Sequence, residues 1–148
     1  MEKKVLIVYN SLSGNTKAVA EAIAEGVKEV NGATVVLKNC YDATADDIMN
    51  CDAVALGSYD AFSYMGGGLK DFFDRVYYPT KEKITNKPYV AFLTHGGGGK
   101  AIDSIIALGN KLGLKEATQS IVSKGKPGRE KIEELRKTGS TLAKSLIL

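Results

Sequence analysis

Hydroxyl and amide side chains crowd one stretch near the start of the chain, Tyr9-Asn10-Ser11-Leu12-Ser13-Gly14-Asn15-Thr16. An apolar run, Val5 to Val8, leads into it, and an amphipathic run, Lys17 to Val30, leads out. A strand that turns through such a loop into a helix leaves backbone N–H groups unpaired at the positive end of the helix dipole. Ser11, Ser13 and Thr16 add hydroxyl donors, and no cation stands among them. The chemistry open to this stretch is therefore to hold an anion with neutral groups, and a phosphate monoester fits. The same residues also suit an ordinary helix start, with Ser13 or Asn15 as cap and Gly14 easing the turn. Two nucleotide patterns do not fit. Of the glycines in G-x-G-x-x-G only Gly14 is present, and the Gly-Lys-Ser/Thr of a Walker loop is missing.

Two more stretches carry unusual chemistry. Residues 58–68 read Ser-Tyr-Asp-Ala-Phe-Ser-Tyr-Met-Gly-Gly-Gly, and seven of the eleven aromatic residues fall between Tyr59 and Tyr78. Phe72 and Phe73 belong to a helix face, but Tyr59, Phe62 and Tyr64 lie where no periodicity asks for burial, so they offer flat surfaces to a planar ring. Residues 94–99, Thr-His-Gly-Gly-Gly-Gly, can line the other side of such a ring with bare backbone. His95 is the only histidine, and a surface or capping role suits it as well as a functional one. Gly96 to Lys100 resembles part of a Walker loop but fails at Thr94 and Ala101.

These stretches need a scaffold, and the chain supplies one. Its 148 residues, 44% hydrophobic and 25% charged, suit a single domain over residues 1–148. Apolar runs at 5–8, 34–37, 53–57, 88–93 and, more weakly, 117–122 read as strands. Between them lie helical patterns: Val19, Ile23, Val27 and Val30; a short turn capped by Thr44; Leu69, Phe72, Phe73 and Val76; and Ile102, Ile105, Ile106, Gly109 and Leu112. A last helix opens at Pro127 and carries Ile132, Leu135, Leu142 and Leu146. Alternation of this kind predicts an α/β three-layer sandwich, a parallel five-stranded sheet with helices on both faces. Ligands of such folds sit beyond the carboxyl ends of the strands, where all three unusual loops emerge.

The totals exclude several classes. No apolar stretch approaches the ~20 residues of a membrane span. Basic and aromatic residues do not interleave as nucleic-acid platforms require. Cys40 and Cys51 form neither a disulfide framework nor a Cys-x-x-Cys pair, and with no signal-like apolar start the expected home is the cytoplasm. The net charge is +3, unevenly spread. Basic and acidic side chains number five and seven in residues 1–50, six and five in 51–100, and nine and five in 101–148. A basic last third can meet an acidic partner or simply solvate a helix.

From Val5 to about Leu146 the chain resembles the flavodoxin-like family, in its short-chain form. The family's phosphate loop, Ser/Thr-x-Thr/Ser-Gly-Asn-Thr, is matched by Ser11-Leu12-Ser13-Gly14-Asn15-Thr16. Leu56-Gly57-Ser58 through Met65, with Gly67 and Leu69-Lys70-Asp71-Phe72, is similar to the branch that includes quinone reductases and multimeric flavoproteins. Thr94-His95-Gly96-Gly97-Gly98 resembles that branch's third flavin loop. The resemblance implies the strand order 2-1-3-4-5 and non-covalently bound FMN. Ser11, Leu12, Ser13, Gly14, Asn15 and Thr16 would surround its phosphate. Ser58, Tyr59, Asp60, Ala61 and Phe62 would flank one side of the ring, and Thr94, His95, Gly96, Gly97 and Gly98 the other. Tyr59 or Phe62 would stack, and a carbonyl in the 57–62 turn would accept a hydrogen bond from the reduced ring. Where the branch has proline and threonine, this chain has Tyr59-Asp60, and a carboxylate there disfavours reduction unless it points away or is neutralised. Classical flavodoxins are acidic, so a net basic chain implies a different partner.

The expected function is an FMN-binding redox protein serving a partner protein or a small-molecule electron acceptor. The alternative is an FMN-dependent NAD(P)H or quinone oxidoreductase, with His95 catalytic and Tyr64 touching the second substrate. A flavin-free interaction domain on the same fold is the other reading.

Overall fold

The first four apolar runs become strands in the computed structural model, which describes residues 2–147. The strands are β1 (Lys3–Tyr9), β2 (Ala33–Asn39), β3 (Ala53–Ala61), β4 (Tyr64–Met65), β5 (Pro88–His95), β6 (Lys115–Glu116) and β7 (Ile121–Lys124). The helices are α1 (Asn15–Lys28), α2 (Ala45–Met49), α3 (Gly67–Thr80), α4 (Ile102–Lys111) and α5 (Arg129–Ile147). β1 lies between β2 and β3, β3 pairs with β5, and both β6 and β7 pair with β5, all in parallel. That is the expected order, with the fifth position split in two.

The split corrects the reading of residues 117–122 as one strand. Ladder pairing joins Pro88 to Lys115 and Tyr89 to Glu116, stops, and resumes with Phe92 opposite Ile121. Residues 117–120 leave the ladder, and within the predicted run only Ile121 and Val122 are strongly apolar. A second correction concerns residues 58–68. β3 runs on to Ala61 and folds back as the antiparallel β4, with Asp60 opposite Met65 and Ala61 opposite Tyr64. Phe62 (φ 56°) and Ser63 (φ 67°) make the two-residue turn. Two positive φ values in a two-residue hairpin define a type I′ turn, which Asn-Gly favours and Phe-Ser does not announce.

Successive strand side chains face opposite sides of the sheet. Leu6, Val8, Val54, Leu56, Ala91 and Leu93 meet α2, α3 and α4 on one face. Val5, Ile7, Ala53, Ala55, Val90 and Phe92 meet α1 and α5 on the other. On that second face the two helices touch backbone to backbone. A Cβ on Gly26 would overlap the carbonyl oxygen of Arg136, and one on Gly139 would overlap that of Ile23. α5 begins at Arg129, with the Ile132 N–H donating to the Gly128 carbonyl, two residues later than Pro127 suggests. Ile132, in that first turn, is 36% exposed, whereas Leu135 and Leu142 are buried. Cys40 and Cys51 are buried packing residues whose thiols burial pushes up to about 11, which leaves them unreactive. No described helix is long and apolar enough to cross a membrane.

Candidate functional site

Residues at the carboxyl ends of β1, β3, β5 and β7, and in the loops that follow, line one open cavity of about 260 Å³. Its walls are Ser13 and Asn15 from the β1–α1 loop and helix start, Tyr59 and Asp60 from β3, Thr94, His95 and Gly96 from β5 and its loop, and Gly125 after β7. Two other depressions lie between α3 and α4, around Tyr77 and Lys111, away from this edge.

The amino end of α1 is built for an anion. Gly14 is its cap residue, with φ 101° and no side chain of its own to accept a bond, so neither Ser13 nor Asn15 takes the role that an ordinary start requires. Ser11 Oγ accepts from the N–H groups of Gly14 (3.2 Å) and Lys17 (3.3 Å) and so shapes the turn. The N–H groups of Ser13, Asn15 and Thr16 meet no acceptor among the described residues. Unpaired donors at the positive end of a fourteen-residue helix attract a negative group. Leu12 is 78% exposed at the rim.

Thr16 is buried, and its hydroxyl shares a 2.7 Å hydrogen bond with that of Thr94. This contact ties the first loop's helix to the strand that carries the third. Asn10, also buried, does the same for the second: its N–H donates to the Gly57 carbonyl (3.0 Å), and its Oδ1 accepts from the Leu69 N–H (3.1 Å). Ser58 Oγ accepts from the Gly66 N–H (2.7 Å) and donates to the Tyr59 carbonyl (2.8 Å). Ser58 is fully buried, so its hydroxyl holds the hairpin rather than facing the cavity.

The hairpin separates the two aromatic candidates. Tyr59 lines the cavity with its ring against Gly66, and burial raises its hydroxyl pKa, with Tyr41 and Cys40 adding to the effect. Phe62 stands at the turn, wholly exposed and outside the cavity wall. Ala61 belongs to the ladder, so residues 57–61 form strand and the expected turn carbonyl is displaced to Phe62-Ser63. Asp60 stays in the wall. Its Oδ1 accepts from the Ser63 N–H at 2.8 Å and its Oδ2 from the Gly99 N–H at 3.5 Å. It is bridged to neutral amides and meets no cation among the described residues, so the carboxylate is oriented without being neutralised.

His95 pairs with Lys124 across the ladder, and its carbonyl accepts from the Gly125 N–H at 2.8 Å. Its Nδ1 is buried with no hydrogen-bond partner, a demand that a bound group can meet. Gly96 and Gly97 have open space where a Cβ would stand, whereas Gly98 lies against Asp60.

One wall residue and one neighbour of the site stand outside the three loop motifs. Gly125, with φ 66°, closes the cavity from beyond β7, and the run Gly125-Lys126-Pro127-Gly128 after a strand was the available signal. Tyr41, 66% exposed, covers Gly68 in a loop that Arg75 pins by donating to the Cys40 (2.6 Å) and Ala43 (2.8 Å) carbonyls. Only its position after β2 pointed to it.

Comparison with known proteins agrees with this geometry. A family model for a flavodoxin domain matches residues 6–96. A flavodoxin of Aquifex aeolicus is 38% identical over 96 residues, covering 65% of this chain and 52% of that protein. An NAD(P)H dehydrogenase (quinone) of Geotalea daltonii is 35% identical, covering 48% of this chain and 46% of that protein. The chain thus matches about half the length of these curated relatives. A flavodoxin from the Archaea superposes with a TM-score of 0.90 at 28% identity, over 98% of this chain and 99% of that one. With the model matched over more than half its length and the sheet in the expected order, the chain belongs to the flavodoxin-domain family.

Proposed function

We propose that the chain binds FMN without a covalent link at the carboxyl edge of its sheet and carries electrons between a donor and an acceptor. One observation carries the reading: the amino end of α1, where the N–H groups of Ser13, Asn15 and Thr16 lack acceptors, opens into the same cavity as Tyr59, His95 and Gly96. The donor set fits a phosphate monoester at one end, through the free N–H groups of Ser13, Asn15 and Thr16. It fits a flat heterocycle at the other, where the Tyr59 ring offers a face and His95 Nδ1 lacks a partner. When bound, the flavin supplies the one- and two-electron chemistry.

The protein's own groups then bind and tune. Gly14, Ser11 and Ser13 shape the anion turn, with Leu12 at its rim. Thr16 and Thr94 lock that turn to β5 through their shared hydrogen bond, Thr94 from within the cavity wall. Gly96, Gly97 and Gly98 let backbone approach the ring. Asp60 places a negative charge in the wall, which opposes the added charge of a reduced ring.

Fluorescence titration tests the reading. FMN emission is expected to be quenched on binding, with riboflavin, which lacks the phosphate, binding at least ten-fold more weakly. Ser13→Asp should reduce FMN affinity at least ten-fold and leave riboflavin unchanged, because only the ester meets the new charge. Equal affinity for the two flavins, or none for either, contradicts the proposal.

The Geotalea daltonii relative and the open space over Gly96 and Gly97 favour a second reading, an FMN-dependent NAD(P)H or quinone oxidoreductase. Steady-state turnover of NADH or NADPH with a quinone, lost in His95→Ala, would support it.

A further inference from the structure

The hairpin tip is an anomaly that the cavity does not absorb. Phe62 sits at φ 56° with Ser63 at φ 67°, and Phe62 is 104% exposed. A bulky residue is disfavoured in the left-handed region, and a large apolar side chain is disfavoured in water. Asn-Gly would relieve both. Backbone strain together with apolar exposure marks a position held for a contact that the isolated chain does not make.

The surroundings say what kind of contact. Leu12, 78% exposed, directly precedes Ser13 of the cavity wall, and Tyr64, 42% exposed, follows the turn. Lys124 and Lys126 flank Gly125 of the cavity wall, Lys100 ends the glycine loop, and Arg129 opens α5. All four are exposed, and none forms an ion pair among the described residues. The carboxylates on this side without an ion-pair partner among the described residues are Asp103 and Glu130 in the first turns of α4 and α5, and Asp60, which is already bridged; Asp71 and Asp74 of α3 are paired with Arg75 and Lys70. Asp42 and Asp46 lie beyond β2, at the other end of the sheet.

We infer that Phe62, Leu12 and Tyr64, rimmed by Lys100, Lys124, Lys126 and Arg129, form the docking face for an acidic redox protein with an apolar patch at its centre. The apolar residues seat the partner over the cavity mouth, and the lysines steer it there; steering of this kind is screened by salt. The inference rests on the electron-carrier reading for its purpose, but the surface is testable without flavin.

Two measurements on the full chain decide it. First, a dye-labelled acidic [2Fe–2S] ferredoxin is titrated with the flavin-free chain at rising salt, with basic cytochrome c as the control of opposite charge. The ferredoxin is expected to bind more tightly at low salt, with affinity falling about ten-fold between 50 and 300 mM, an order of magnitude set by charge screening. Lys124→Glu with Lys126→Glu should remove that salt dependence. Phe62→Asn should weaken binding several-fold at every salt concentration without lowering the melting temperature, because asparagine suits the turn better. Second, the FMN-loaded, photoreduced chain should reduce the ferredoxin faster at low salt than at high.

Tighter binding of cytochrome c, an unchanged Phe62→Asn variant, or stronger capture of duplex DNA or anionic vesicles would overturn the inference. Binding of ferredoxin by a chain that takes up no FMN would keep the surface and remove the electron-carrier reading.

Discussion

Glycine does opposite things in two regions of this molecule. Between α1 and α5, Gly26 and Gly139 are there because nothing larger fits: each presses against a carbonyl of the other helix. At the cavity, Gly96 and Gly97 are there with room to spare. The first pair closes a space and the second keeps one open. One region makes the fold, and the other leaves a place for something the chain does not itself contain.

Substitutions can break or sharpen that contrast. Gly139→Ala should have the largest effect, destabilising the chain by about 3 kcal/mol in urea unfolding, because backbone on both sides must move apart. A loss below about 0.5 kcal/mol would mean that the helices can separate freely. Thr94→Val comes next. It strands the buried Thr16 hydroxyl and is expected to cost about 2 kcal/mol. It should also weaken FMN binding in the titration above, since the open region is tied to the closed one at this bond.

Smaller still is Thr44→Ala at the short α2. Thr44 and Asp47 satisfy each other's backbone N–H groups, at 3.2 and 2.9 Å, and removing the cap should cost about 1 kcal/mol in the same unfolding assay. Asp47 adds a pH dependence there. Burial acts to raise its pKa, but the Lys38 ammonium and the Thr44 groups outweigh burial and hold it below the ordinary 3.8. Its contribution is therefore complete above pH 3.8 and is lost as pH falls through the lower folded value. Urea midpoints of the protein and of Asp47→Asn should differ at pH 7 and converge as the pH falls below that window. Gly97→Ala should do least to the fold, changing stability by less than about 0.5 kcal/mol. A larger loss would erase the distinction between the two regions.

The closed region was easier to read from the sequence than the open one. Val19, Ile23 and Val27 announce their burial by spacing, as do Leu69, Phe72, Phe73 and Val76, because a buried helix face must repeat with the helical turn. The loop motifs were legible as chemistry but not as shape. Nothing in Phe62-Ser63 signals a type I′ turn, so the sequence suggests a loop where the chain forms a hairpin. Residues 117–120 lack the pattern that would have shown the break in the fifth strand. Gly125 joins the cavity only through the ladder between His95 and Lys124, a pairing of residues distant in sequence. Asp60 was recognised as out of place, but its bridges to Ser63 and Gly99 depend on the hairpin that the sequence did not declare.

The interlocked helices also set a schedule for synthesis. β1 is central to the sheet and α1 follows it directly, yet the face of α1 that carries Gly26 has no cover until residues 129–147 have been made. Until α5 is made, a nascent chain leaving the ribosome covers that apolar side of its sheet with α1 alone, and the rest of the face stays open to water.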